Sequence, residues 1–218
     1  MHDTETQNNH AFIANARRTQ IFHAAIRTLD EIGYVRASLA QIAKRAQIST
    51  ALISYHFKDK EDLMNYILMT VLANTTTFVL QHTNAAQSAR AKLQAYIVAH
   101  LMYQDTHQDA YHALVEIIFN ARTPDDVPYY KLNNEEDDPL RRELQDILHH
   151  GQQQGEFRLF SVAVVATAIQ GAIGEYWVNP HLAITINAVA YAEELVHLFE
   201  RAVLCDAHGD QADTQMDC

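Results

Sequence analysis

Residues 49–63 read STALISYHFKDKEDL. Ser49 suits an N-cap, and the residues after it can form a short helix that ends near His56. On that helix Ile53 points one way, while Thr50, Ala51, Ser54 and Tyr55 point the other. Beyond Phe57, Asp59 can cap a further helix. Its first turn holds Glu61 and Asp62, at the positive end of the helix dipole. Lys58 and Lys60 flank that start. Just upstream, Ser38 suits the cap of a helix with Leu39, Ile42, Ala43 and Ala46 on one face. Only Gln47-Ile48 separates that helix from the one capped by Ser49. A turn so short forbids antiparallel packing, so the two helices must cross steeply, as in a helix-turn-helix. Ala43 is small where they would touch. Ile48 and Ile53 can fill the space against a first helix, about residues 12–33. That helix carries Phe22, Ala25, Ile26, Leu29 and Ile32 at helical spacing, and Gly33 stops it.

The exposed face of the third helix offers short or amphipathic groups at a helix N-terminus, which can approach base edges in a major groove. A phosphate at the start of the fourth helix would meet Lys58, Lys60 and free backbone N–H groups together. The charge distribution agrees. The chain has a net charge of −11, which by itself argues against nucleic acid. Residues 1–62, however, are nearly balanced: Arg17, Arg18, Arg27, Arg36, Lys44, Arg45, Lys58 and Lys60 stand against Asp3, Glu5, Asp30, Glu31, Asp59, Glu61 and Asp62. The acid excess lies in the rest, so a duplex must meet the N-terminal end.

The remaining pattern is also helical. Six Gly and four Pro in 218 residues are few for an all-β protein. A fourth helix is expected from Asp59 to about residue 83. Others follow at about 87–105, 108–122, 139–153, 161–178 and 182–205, about nine in all, with an uneven stretch at 125–139 that includes Glu135-Glu136-Asp137-Asp138. A tail at 206–218 is expected to be disordered. Cys205 and Cys218 make no disulfide framework and have no zinc spacing. The polar N-terminus lacks signal-peptide order, and no apolar run is expected to reach membrane-spanning length, so a cytoplasmic protein with no membrane partner is expected.

The order Leu39-x-x-Ile42-Ala43, Ile48-Ser49, Ile53-Ser54-Tyr55-His56-Phe57-Lys58-Asp59-Lys60-Glu61-x-Leu63 closely resembles the DNA-binding domain of TetR-family transcriptional regulators. The likeness spans about residues 12–66. It implies an all-α fold: an N-terminal three-helix DNA-binding domain with a helix-turn-helix (residues 12–60), then a helical ligand-binding and dimerisation domain (61–205). It also implies operator contacts at Ser38, Thr50, Ala51, Ser54, Tyr55, His56 and Lys60, with Tyr55 and Lys60 on phosphate. Gln47 stands where the family commonly has Gly in a left-handed turn, a conformation that costs a non-Gly residue ~1 kcal/mol.

For the larger domain, aromatic residues suggest a pocket. Tyr66, Phe78, Tyr96, His100, Tyr103, Glu116, Phe119 and Trp177 are its candidate lining. Aromatic rings with carboxylates suit a small lipophilic cation, which would fit a repressor released from a palindromic operator and controlling multidrug efflux. A protein partner in place of a small ligand is the alternative. Helix 161–178 is apolar nearly all round and 182–205 broadly so. Together they suit a homodimer interface, and a two-fold dimer suits a palindrome. His112/Glu116 and Glu193/His197 stand four apart, but two ligands do not make a metal site. No nucleophile–base motif or Gly-rich phosphate loop is present, so neither catalysis nor a cofactor is expected.

Overall fold

The computed structural model describes the backbone of residues 2–132 and 138–205, with side chains from Phe12 onward and Pro180 set aside. The expected disordered tail and the run Glu135-Glu136-Asp137 lie outside the described residues. Ten α-helices and a one-turn 3-10 helix at Tyr129–Lys131 account for most of these residues. No strand occurs among them; Arg122–Pro128 and Phe157–Leu204 form only isolated bridges. The chain divides into two compact units, residues 1–75 with 106–134, and 76–105 with 135–218.

The first unit begins with α1 (His2–Arg36), α2 (Leu39–Ala46) and α3 (Thr50–His56). Inside α1 the backbone leaves helical geometry at Gly33, with φ 74°. That conformation favours glycine, and a Cβ there would also meet Glu116 Oε2 at 3.1 Å. The expected caps form. Ser38 Oγ accepts from the Gln41 N–H at 3.3 Å, and Ser49 Oγ accepts from the Leu52 N–H at 3.2 Å. Gln47 does take the left-handed conformation, φ 56° and ψ 42°. The Ile48 N–H then reaches back to Ala43 O at 3.0 Å, which closes the end of α2 and turns the chain into α3. Ala25, Ile26, Leu29, Ile42 and Ile53 are buried, as their spacing requires, while Phe22 and Ile32 are only half-buried and Ile21, not among the expected residues, is buried with the core.

Helix α4 (Lys60–Ala85) starts in the first unit and ends in the second. Asp59 Oδ1 accepts from the Asp62 N–H, and Asp62 Oδ2 accepts from the Lys58 N–H, both at 2.9 Å, so α4 is capped from both sides. One expectation needs correction here. α4 is long and apolar enough to cross a membrane by length and composition, because residues 63–80 carry no charge. In this fold Leu63, Met64, Ile67, Val71 and Val79 are buried within the protein. Helix α6 (Gln108–Asn120) packs along α1. There Glu116 Oε2 accepts from the Tyr34 N–H at 2.7 Å, and His112 Nδ1 lies 2.8 Å from Asp30 Oδ1.

The second unit holds the end of α4, α5 (Ala89–Thr106), α7 (Pro139–Gln153), α8 (Val162–Val178), α9 (Pro180–Thr185) and α10 (Ala188–Val203). The expected helix at 182–205 is thus two. Asn187 caps α10 by accepting from the Ala190 N–H at 2.9 Å, and Ile186 is extended, which breaks the run. Tyr96, Ile97, Leu101, Leu144, Leu148, Phe157, Ile169 and Tyr176 form the core. Gly151 is required there, since a Cβ would lie 2.1 Å from the buried Phe157 ring. Glu156 caps α5 by accepting from the N–H groups of Ala89 and Arg90 at 3.1 and 3.0 Å. Arg90 in turn grips Glu200 through two hydrogen bonds of 2.7 and 2.9 Å.

Candidate nucleic-acid interface

On α3 the chemistry divides by face. Ile53 is buried, and Thr50, Ala51, Ser54 and Tyr55 are exposed. Tyr55 is 81% exposed, which is unusual for a large aromatic, and its ring meets the His56 ring edge-on at 5.1 Å. A phenol presented this way has an apolar body for sugar or base and a hydroxyl for phosphate. Lys58 is exposed beside it, and Ser38 is partly exposed at the start of α2. His56 is held below its ordinary pKa by burial and by the nearby Arg18 and Arg17 guanidinium groups.

Two cations have other work. Arg18 donates to His56 O at 3.2 Å and lies over the rings of Phe57 and Tyr66 at 4.5 and 4.4 Å. It braces the C-terminal end of α3 against α4 and does not reach outward. Lys60 Nζ donates to Tyr34 O at 2.6 Å and sits 4.1 Å above the Tyr34 ring. Burial lowers its pKa accordingly. The family resemblance puts Lys60 on phosphate; in the fold its ammonium ties the start of α4 to the end of α1.

The expected pocket lining separates. Tyr66 packs on Phe22 and Phe57 in the first unit. Glu116 is committed to the Tyr34 N–H, and Phe119 stacks on Tyr130 at 6.2 Å, also in the first unit. Phe78, Tyr96, His100, Tyr103 and Trp177 remain in the second unit, where Phe78 meets Tyr103 at 5.1 Å and Tyr96 meets His100 at 5.3 Å. One turn further on α5 is Gln104, which periodicity alone marked as nothing special. His100 Nδ1 and Gln104 Oε1 are shut off from solvent and have no hydrogen-bond partner among the described residues. Such atoms are costly to leave alone, so they mark where a polar group of a ligand would be welcome. Among the described residues no three His, Cys, Asp or Glu side chains gather as a metal site.

Burial pushes His100 down to about 4, against a small opposing effect of Asp138. The unfolded chain therefore takes up this proton near pH 6.5, and the folded protein only near pH 4. The associated stability is fully present above pH 6.5 and is lost as pH falls from 6.5 towards 4, by up to about 3 kcal/mol. Urea unfolding at pH 7 and 4.5 should show the loss, and His100→Leu should remove most of this difference. An equal loss in the variant would assign it to other groups.

Residues 21–67 match the model of bacterial regulatory proteins, tetR family. Over these residues the chain matches that family. The chain is 37% identical over 95 residues to the HTH-type transcriptional regulator BetI of Burkholderia thailandensis, an alignment that covers 43% of this chain and 48% of that protein. The chain thus matches about half the length of such relatives. Its fold is shared more widely. A tetR-family regulatory protein from Rhodococcus RHA1 superposes with a TM-score of 0.74 at 18% identity, over 87% of this chain and 97% of that one. The transcriptional regulator FadR from Bacillus subtilis, solved in complex with stearoyl-CoA, gives 0.71 at 22% identity, over 83% and 96%.

Proposed function

We propose that this protein is a ligand-responsive transcriptional regulator of the TetR family, a repressor that sets α3 of each subunit of a homodimer into the major groove of a palindromic operator. The observation that carries the reading is the outward face of α3, where Thr50, Ala51, Ser54 and the almost fully exposed Tyr55 stand opposite the buried Ile53. Ser38, His56 and Lys58 extend the contact surface. Lys60 is a brace in this reading and not a phosphate ligand. Support for the dimer comes from α8 and α10. Val164, Val178, Val189 and Leu198 are large and exposed there. Gly171 and Gly174 have open space where a Cβ would stand, which permits close approach of a second helix. A small effector is supported by the buried, unpartnered polar atoms on α5. Control of efflux genes rests only on the ligand class, an organic cation.

The test separates the two lysines. Lys58→Ala should flatten the slope of log K against log salt by ~1 for each phosphate it no longer neutralises, with unchanged stability. Lys60→Ala should cost ~1–2 kcal/mol of stability, because the carbonyl bond and the ring interaction both go, with the salt slope kept. Fluorescence anisotropy across a salt series, paired with urea unfolding, reads both. A steep slope that survives Lys58→Ala but falls with Lys60→Ala would reverse the assignment.

A further inference from the structure

A groove of about 600 Å³ runs between the first turns of α4 and the segment after α6, wholly within the first unit. Its size is that of a small-molecule site. Leu68, Leu72, Tyr130 and Leu132 give it apolar walls, and Glu61 is the one charged residue among its described lining. Tyr130 and Leu132 are 49% and 48% exposed, and Phe119, stacked behind Tyr130, is 56% exposed. Glu61 makes no ion pair within the described residues. The nearest cation in sequence, Lys60, is taken by Tyr34. Lys131 Nζ stands 5.8 Å from the Tyr130 ring, at the limit of a cation–ring contact. Along the same lining the Tyr129 hydroxyl donates to Asn65 Oδ1 at 2.6 Å. Burial and the adjacent Glu61 keep that phenol above its usual pKa, hence neutral, so Glu61 supplies the groove's negative charge.

We propose that this groove binds a small organic cation with aromatic or aliphatic bulk, whose charge is anchored by Glu61 and faced by the Tyr130 ring. The chemistry is complementary on each count. Apolar walls take the bulk, a carboxylate with no cation on it takes the charge, and an exposed phenol ring offers its negative face. A free anion would be repelled by Glu61, and a neutral apolar molecule would leave the carboxylate beside it stripped of water. The site is separate from the aromatic cluster on α5. It rests on the regulator reading for its purpose, since Glu61 lies in the first turn of α4, beside the capping residues that follow α3.

The probe pair is tetraphenylphosphonium and tetraphenylborate, similar in shape and opposite in charge. Calorimetric titration of the full chain should show saturable phosphonium binding, one per chain, with borate at least about tenfold weaker. Glu61→Gln should weaken phosphonium about tenfold and narrow the gap to borate. Tyr130→Ala, at an exposed position, should weaken it about threefold or more. Equal binding of both ions would overturn the proposal, as would phosphonium binding untouched by both variants. Operator binding, measured on the same preparations, stands apart: its failure would remove the regulator reading and leave the cation site intact.

Discussion

Ala51→Glu should lower operator affinity by at least ~1,000-fold, to the level of non-specific binding. Ala51 is exposed in the first turn of α3. A glutamate near a helix N-terminus is, if anything, mildly stabilising, so Tm should move by no more than about 2 °C. The loss comes from DNA alone. Each subunit would press a carboxylate against base edges and phosphates, and like-charge contact at an interface costs several kcal/mol. Two reading heads double the effect. Anisotropy with a bound duplex measures the first part, and thermal circular dichroism the second. Affinity kept within about tenfold would remove α3 from the major groove.

Phe57→Ala should destabilise the first unit by ~3–5 kcal/mol, as expected for deletion of a fully buried aromatic ring. Phe57 is 1% exposed and packs on both the Arg18 guanidinium and the Tyr66 ring, the latter at 5.3 Å. Its N–H also closes α3 by donating to Ile53 O at 2.8 Å. Without the ring, Arg18 loses the face it covers, and the end of α3 loses its brace. Hydrogen exchange locates the damage: amides of α2 and α3 should lose protection, while those of α8 and α10 should keep theirs. Tyr55→Phe, close by in sequence but outside the core, should shift stability by less than ~0.5 kcal/mol.

Those two residues show why the motif could be read. Between Ser38 and Leu63 almost every position does something local. Ser38, Ser49 and Asp59 cap the helix that follows each, and Ile53 and Phe57 fall inward by simple periodicity. Tyr55 falls outward by the same rule. Even Gln47 behaves as its place in the resemblance implied, with a left-handed backbone that its side chain does not favour. What stayed hidden depends on partners far along the chain. Lys60 meets a carbonyl 26 residues back, and Glu116 meets an N–H 82 residues back. Neither spacing nor composition carries such pairings. The two ring contacts of Arg18, with Phe57 and Tyr66, likewise lie far from it along the chain. Tyr66, Glu116 and Phe119 were grouped with Tyr96, His100 and Tyr103 because all are aromatic or polar on neighbouring helices. Packing sends the first three to one unit and the last three to the other. The Glu61 groove was invisible for the same reason: its second wall is an irregular segment, 123–132, that has no periodicity to read.

The central claim is that α3 reads a specific duplex as one half of a symmetric pair. Selection of a random duplex library by the purified protein, followed by sequencing, tests it most directly. Enrichment of an inverted repeat, with half-site centres about 10–10.5 bp apart or a multiple of that, is the expected result. Ala51→Glu should enrich nothing. No enriched repeat with the wild-type protein, or the same repeat recovered with Ala51→Glu, would contradict the account.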